Sequence, residues 1–496
     1  MSAEILMNVT PQESRVALLE NGVLQEILIE RTDSESIVGN IYKGKVCRVL
    51  PGMEAAFIDI GMPKAAFLHA SDLRFPKDLF DDDIDKGKEA LRKIPPISKL
   101  LYEGKQVLVQ VIKDPISTKG ARLTTYVTIP SRYMVLMPNA KTIGISSKIE
   151  SKKEKRRLKE FVQNLNEESS SKHGYIIRTA AEGVTEDLLR KDIEFLNKLW
   201  LSICEMAESA PKGSIIYSDL PLVKRILRDV ASEEITAVQV DSRETAQKII
   251  EFCEKYITEL VGLVSHYPGE RPIFDLYMVE EEIQKALKRQ VQLKSGGYLI
   301  IDQTEAMTTI DVNTGGFVGH RNLEETIFKT NLEAAQAIAR QLRLRNLGGI
   351  IILDFIDMKD EEHKDLVLAA LGKALEKDTT KTNVTAVSSL GLVEMTRKRT
   401  SESLGHVLCE SCPTCHGRGY IKTATTVCYE IFREILREAR QFDAKELLVL
   451  AAQDVVDLFL DEESESLAEL QEFINLPIRF QVENLYTQEQ FDVVLL

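Results

Sequence analysis

No apolar stretch in this chain reaches the roughly 20 residues that a helix needs to cross a bilayer, and its start, MSAEILMNV, lacks a basic region leading into an apolar one. The pattern argues against a membrane span and a secretory leader, so the expected location is the cytoplasm. Positive charge is in short supply: 63 lysines and arginines face 77 aspartates and glutamates, for a net charge of −14. Binding of nucleic acid over the whole surface is thereby disfavoured, and any such ligand must sit in a localised groove. Cysteine is scarce too, seven in 496 residues, an odd number with three gathered between positions 409 and 415. That is no disulfide framework; it reads as reduced thiols with one metal site. Long internal repeats and low-complexity linkers are missing as well. What remains is an ordinary soluble composition, 44% hydrophobic and 28% charged, in a chain too long for one core and expected to form three or more domains.

The most organised stretch, Leu299 to Met358, reads strand, loop, helix, strand. In Met307 to Asn313 (MTTIDVN), alternation puts Thr309, Asp311 and Asn313 on one face and Ile310 and Val312 on the other. Gly349 to Asp357 (GIIILDFID) is an apolar run of the kind that fills a central strand covered on both faces, and Asp354 interrupts it. Between them, Asn322-Leu323-Glu324-Glu325 reads as a variant capping box, opening a helix that ends in Arg340, Arg343 and Arg345 ahead of Gly348-Gly349. A helix between two such strands brings their ends together. A buried carboxylate needs a cation, a hydrogen-bond network or a raised pKa. Asp311, Asn313 and Asp354 therefore read as one hard-cation site, the alternative being two hydrogen-bonded carboxylates at strand ends. Asp357 either assists them or caps the strand.

The chain begins with three strand-like runs, Ile5 to Val9, Arg15 to Glu20 and Val23 to Glu30, with Asn21-Gly22 as a hairpin signal. Three strands alone are marginal, and Leu222 to Leu263, reading helix, strand (Ala237 to Val240), helix, is the expected partner. That makes the first domain discontinuous, with everything between inserted into it. From Gly39 to about Tyr126, five short strands (Lys45 to Leu50, Glu54 to Gly61, Ala65 to Leu68, Gln106 to Lys113, Arg122 to Thr128) suit a small oligonucleotide-binding barrel. Phe57 and Phe67 fall on the polar sides of their strands. With Lys43, Lys45 and Lys105 they form a base-stacking platform, unless both rings pack beneath the charged insertion from Phe75 to Ser98, itself read as a solvated excursion. A mixed segment follows, with strands at Tyr133 to Met137 and Tyr175 to Thr179 and a basic helix, Lys152 to Lys159, read as a solvated face. Beyond Met358 come a helix to Lys377, Val384 to Ser388, Leu390 to Met395 and the basic Arg397 to Arg399. The last seventy or so residues return to α/β patterning.

In Cys409-Glu410-Ser411-Cys412-Pro413-Thr414-Cys415-His416-Gly417, closely spaced cysteines followed by glycine make a knuckle suited to zinc. A structural zinc takes four ligands, and one hook offers two thiolates. Either Cys409 and His416 complete the site, or two chains share the ion; the tight spacing of Cys412 and Cys415 favours sharing. Cys47, Cys204, Cys253 and Cys428 stand singly and read as buried apolar residues.

The blocks GNIYKGKV, EAAFIDIG, VLMPN, IIRTA, TIDVNTG, RQLRLRNLGGIIILDFIDM, LVEMTRKR and CPTCHGRG together resemble the ribonuclease E/G family over essentially the whole chain. The resemblance implies a magnesium-dependent endoribonuclease that cuts single-stranded A/U-rich RNA, prefers 5′-monophosphate ends and acts in rRNA maturation and mRNA turnover. It implies catalytic aspartates at Asp311 and Asp354 with Asn313 in support, RNA-binding rings at Phe57 and Phe67, and zinc on Cys412 and Cys415 shared between the chains of a homodimer that can assemble further. Its 5′-phosphate pocket falls on Arg178, Thr179 and the backbone of Val135, with one family arginine replaced by Lys381 and another by Ser147 or Lys148. The implied architecture is multidomain, α/β and α+β. A discontinuous RNase H-like domain (1–38 and 222–282) carries an inserted S1 (OB-fold) barrel (39–126) and a 5′-sensor region (127–221). A DNase I-like catalytic domain (283–400), a zinc-link (401–424) and a small C-terminal oligomerisation domain of α/β type (425–496) follow. A metal-free route through the 2′-hydroxyl finds no histidine pair, since His320, His363 and His406 are isolated. The rival expectation is a non-catalytic RNA-binding scaffold with a zinc-linked dimer; a DNA nuclease or phosphomonoesterase is a second rival.

Overall fold

The computed structural model describes residues 2–32, 36–73, 96–115, 120–138, 140–168, 173–230, 235–316, 323–442 and 444–496. They form a mixed α/β protein in two compact units, residues 1–407 and 408–496. Most of the charged insertion from Phe75 to Ser98, and Asn322 of the expected capping box, lie outside the described residues.

In the first unit the N-terminal strands Ala3–Val9, Glu13–Glu20 and Val23–Arg31 pair in sequence. Asn21 and Gly22 turn the second hairpin with φ of 50° and 76°, the left-handed geometry that such a turn requires. The sheet is completed from far along the chain, as expected: Ile235–Val240 lies parallel to Ala3–Val9, and Val264–His266 lies beyond it. Leu227, Ile249 and Cys253, from the helices Leu222–Val230 and Arg243–Tyr256, fill the core beneath.

The five barrel strands are present as Ile41–Leu50, Ala55–Asp59, Ala66–His69, Gln106–Lys113 and Arg122–Thr124, closed by pairing of the first with Gln106–Lys113. Alternation puts Ile58, Leu68, Val109 and Leu123 inside. A sixth strand that the pattern did not reveal, Ile215–Tyr217, adds to the edge of Ile41–Leu50. Its approach is close: a side chain at Gly61 would meet the carbonyl oxygen of Gly213 at 2.4 Å. Between barrel and sixth strand, a four-stranded sheet packs with the helices Lys152–Glu168 and Glu186–Ser209 around Tyr175, Leu158, Val162 and Leu196. Leu158 and Val162 form the buried stripe of the first of these helices, so its basic residues are the solvated face that the pattern suggests.

The sheet carrying Leu299 to Met358 has six strands, ordered Gln290–Gln292, Tyr298–Gln303, Met307–Asn313, Gly349–Asp354, Leu392–Arg397 and Thr382–Val387. The helices Leu323–Leu344 and Glu361–Leu375 lie on one face, where Ile310, Ile351, Leu353 and Val393 meet Ile338, Leu342 and Leu371. The other face is open. Ile350 is 49% and Met307 38% exposed, and Asp354 is exposed. This corrects the expectation of a strand covered on both faces with a buried Asp354. Only the Met307–Asn313 and Gly349–Asp354 pair is parallel and needs a helical crossover. The next neighbour is antiparallel, and its connecting helix returns to the same face. The arginines at the end of Leu323–Leu344 also do more than complement the helix dipole. Arg343 pairs with Glu20 and Glu26 and Arg340 donates to the Leu24 carbonyl, pinning this helix to the N-terminal hairpin, while Arg340 also pairs with Glu282 on the helix Val279–Ala286.

The second unit holds a three-stranded sheet, Ile478–Val482, Leu447–Ala451 and Phe491–Leu495. Its helices Ala424–Gln441, Gln453–Leu460 and Ser464–Ile474 supply Ile431, Val455, Phe459 and Leu470 to the core. Among the described residues no helix is long and apolar enough to cross a membrane.

Candidate active site and nucleic-acid interface

Asp311 and Asp354 are direct neighbours in the parallel register, and the row extends to Ile300 on one side and Leu392 on the other. Cross-strand partners point to the same face, so both carboxylates stand on the open side of the sheet. The Asn313 side-chain amide donates to Asp311 Oδ2 at 2.7 Å, which fixes it beside the pair, as the two-residue spacing suggests. Partial burial, then the charges of Asp311 and Asp357, hold the Asp354 carboxyl above the usual aspartate range. No lysine or arginine forms an ion pair with either carboxylate among the described residues, nor do three or more His, Cys, Asp or Glu of these residues gather in a group that could hold a metal ion by themselves. Two adjacent, mutually repelling carboxylates without a basic partner suit a hard divalent cation that keeps most of its water.

On the barrel, register makes a row of a different kind. Arg48 lies opposite Phe57, Phe57 opposite Phe67, and Phe67 opposite Arg122. The two rings meet edge to face with centroids 6.1 Å apart, and His69 stacks on Phe67 at 6.5 Å. Both phenylalanines are half-buried on the outer face, and Arg48 is exposed. Arg122 donates to Asp72 at 2.9 Å, which holds its guanidinium in place. Arg48 and Arg122 escaped the sequence reading because a register shift between Val46 and Arg48 is what turns Arg48 to the side of Phe57, and strand pairing alone sets Arg122 beside Phe67. The expected lysines divide. Lys45 is exposed. Lys43 donates to the carbonyls of Glu208 and Ala210, tying the barrel to the end of the Glu186–Ser209 helix, and Lys105 donates to the Leu100 carbonyl. Those two ammonium groups are thus tied to the protein, while Lys45 stands free of such a contact among the described residues.

Of the expected phosphate-binding residues, Val135 lies in Met134–Met137, paired with Gly174–Ile177, directly after which come Arg178 and Thr179. Arg178 donates to the Ser131 carbonyl at 2.8 Å and pairs with Asp229 at 2.9 Å; Thr179 exchanges a hydrogen bond with Ser146. Beneath Arg178, burial pushes the Asp192 carboxyl up to about 6 while it accepts from the Ser131 hydroxyl. Lys381 stands on another sheet, just before Thr382–Val387.

In the second unit, His416 at φ 49° and Gly417 at φ 84° turn the cysteine knuckle, and the His416 N–H donates to the Cys412 carbonyl. The backbone N–H groups of Cys415 and Thr414 hold the Cys412 thiol below its usual range. Cys412 is exposed and Cys415 half-exposed, so the two sulfurs suit a soft ion reached from outside. Of the single cysteines, Cys253 and Cys428 are buried as expected; Cys47 is exposed and Cys204 intermediate, against expectation. Cys47 follows the buried Val46, so ordinary alternation turns it outward, and the register shift between Val46 and Arg48 brings Arg48 to the outer side as well.

Residues 128–400 match the Ribonuclease E/G family, and residues 411–495 match the RNase E/G thioredoxin-like domain. The chain is 55% identical to ribonuclease G of Escherichia coli strain K12 over 497 aligned positions that cover all of both chains. The chain belongs to the ribonuclease E/G family. It is therefore an endoribonuclease, a hydrolase. It is likewise 52% identical to ribonuclease G of Haemophilus influenzae, again over all of both chains. Against ribonuclease E of Escherichia coli strain K12, identity is 36% over 92% of this chain and 42% of that protein. The acid row lies inside the first matched region and the cysteine knuckle inside the second.

Proposed function

We propose that this ribonuclease is a magnesium-dependent endonuclease of single-stranded A/U-rich RNA, with Asp311 and Asp354 holding the metal and the family's preference for 5′-monophosphate ends. The observation that carries it is the adjacent register of the two aspartates, with Asn313 on Asp311 and no basic partner among the described residues. Mg²⁺ bound there supplies Lewis-acid stabilisation of charge on the scissile phosphate and a more acidic water, giving a 5′-phosphate and a 3′-hydroxyl. Asp311 and Asp354 bind and neutralise; Asn313 fixes the orientation of Asp311 and of the phosphate. Phe57 and Phe67 stack bases while Arg48, Arg122 and Lys45 meet phosphates, which lets an acidic protein hold RNA. Arg178 and Thr179, with the Val135 backbone, take the 5′ phosphate, and Lys381 contributes charge without the bidentate fork of an arginine. The barrel fits the S1 type within the domain order set out from the sequence, and cleavage of rRNA precursors and mRNA in the cytoplasm follows from the family. Cys412 and Cys415 offer two of four zinc ligands, so the ion joins two chains.

The deciding experiment incubates the purified protein with Mg²⁺ and a 5′-monophosphorylated A/U-rich oligonucleotide, beside Asp311→Asn. Cleavage by the wild type and its loss in the variant are expected; equal cleavage by both removes the site. Arg178→Ala should lower the ratio of monophosphate to triphosphate cleavage, and an unchanged ratio refutes the pocket.

A further inference from the structure

Next to the acid row lies a cleft that the chemistry above leaves unused. The loop leaving Gly349–Asp354 is clamped by the fully buried Asn331, whose amide donates to the Ile356 carbonyl at 2.8 Å and accepts from the Ile356 N–H at 3.1 Å. Held there, the loop joins the helix Glu361–Leu375 and the turn before Leu392–Arg397 to border a small, partly open cleft, lined by Phe355, Asp357, Met358, Leu368, Val387 and Gly391 among others. Its walls are largely apolar, and its polar groups are few. Lys364 borders the cleft with its ammonium on Glu361 at 2.7 Å. Asp357 lies across the turn, since a side chain placed on Gly391 would stand 3.4 Å from its Oδ1. Asp357 is three residues from Asp354, so at most about 10 Å of chain separates them, and its charge is felt by Asp354.

We propose that this cleft takes the base flanking the scissile phosphate, with Asp357 accepting hydrogen bonds from a base edge that carries an amino group. The proposal rests on the reading of Asp311 and Asp354 as the cutting site. Apolar walls with a few placed polar groups are the ordinary make-up of a small-ligand site, and proteins read unstacked RNA bases by their faces and edges. Phe355, Met358, Leu368 and Val387 suit the faces. An ionised carboxylate only accepts, so adenine, cytosine and guanine, with their exocyclic amines, are favoured over uracil.

The test uses the full-length protein with Mg²⁺ and an RNA pool in which the bases on either side of one cut bond are randomised, sequencing the ends produced. The wild type is expected to favour amino-bearing bases several-fold over uracil at one flanking position. Asp357→Asn and the cleft-filling Val387→Trp are each expected to flatten that bias. A wild type without the bias, or two variants that keep it, overturns the proposal. Thermal melts check folding, and if Val387→Trp fails to fold, Asp357→Asn decides alone. Asp311→Asn runs beside them: cleavage by that variant would remove the underlying site, whereas its inactivity with an unchanged bias in Asp357→Asn would remove only the cleft.

Discussion

The barrel row Arg48, Phe57, Phe67, Arg122 and the acid row Ile300, Asp311, Asp354, Leu392 are built alike, one residue from each of four neighbouring strands on the exposed face of a sheet. They differ in sign. The first presents guanidinium, ring, ring and guanidinium, and can meet both phosphates and bases without help. The second sets two carboxylates side by side and repels a phosphodiester unless a cation intervenes. A sheet edge or face does not determine what it binds; the residues that register brings into one row do. On the proposed reading the two rows of this unit divide the work, the cationic row for affinity and the anionic row for bond breaking.

Removing one carboxylate tests that division most severely. Asp354→Asn should lower kcat on the order of 10²–10³-fold, the scale on which loss of one electrostatic contact to a developing charge acts, and leave the affinity for an uncut oligonucleotide unchanged or slightly improved. Single-turnover cleavage and fluorescence anisotropy measure the two. A variant that lost affinity in proportion to rate would collapse the distinction between the rows. The converse change is Phe57→Ala. Stacking contributes about 1–3 kcal/mol per base, so affinity should fall roughly 5- to 150-fold with little change in single-turnover rate at saturating RNA. A smaller effect sharpens the role of the flanking arginines. Arg48→Ala should reduce the slope of log affinity against log salt by about 0.7, the single-strand value per phosphate neutralised, and Arg48→Lys should restore it. An unchanged slope would place Arg48 outside the RNA path.

These predictions draw unequally on sequence and structure. The acid pair was legible because both strands are strongly patterned and the intervening helix forces them together; only the alternation of MTTIDVN and the break at Asp354 were needed. That Asp354 is exposed was not legible, since GIIIL reads the same in a strand covered on both faces. What leaves Ile350 and Asp354 open is the placement of both helices on one side. The rings were legible as residues on polar sides, but Arg48 joins them only through a register shift within its strand, and Arg122 only through pairing with a strand far along the chain. The sequence likewise does not show what the Lys43 and Lys105 ammonium groups touch. The carbonyls they satisfy, at Glu208, Ala210 and Leu100, carry no residue-type signal. The strand Ile215–Tyr217 is too short to show a period.

The smallest effect contrasts the rows without any RNA. In the metal-free protein the Asp354 carboxyl sits above the ordinary aspartate range, so the folded state holds this proton more tightly than the unfolded chain. The group's contribution to stability is therefore fully present below the unfolded value near 4 and is lost as pH rises through the folded value. At neutral pH the ionised pair is a cost to the fold, which function retains. Asp354→Asn removes that cost, and urea melts in chelator should show it more stable than the wild type at pH 7, with the gain shrinking toward pH 4. Because the site is open to solvent, the difference should stay below about 1 kcal/mol. Adding Mg²⁺ should reverse the order by stabilising only the wild type through binding, whereas the barrel variant Phe57→Ala should respond to Mg²⁺ as the wild type does. If chelator and Mg²⁺ gave the same ranking, the two carboxylates would be holding no cation, and the acid row would lose its place beside the barrel as the second half of the enzyme.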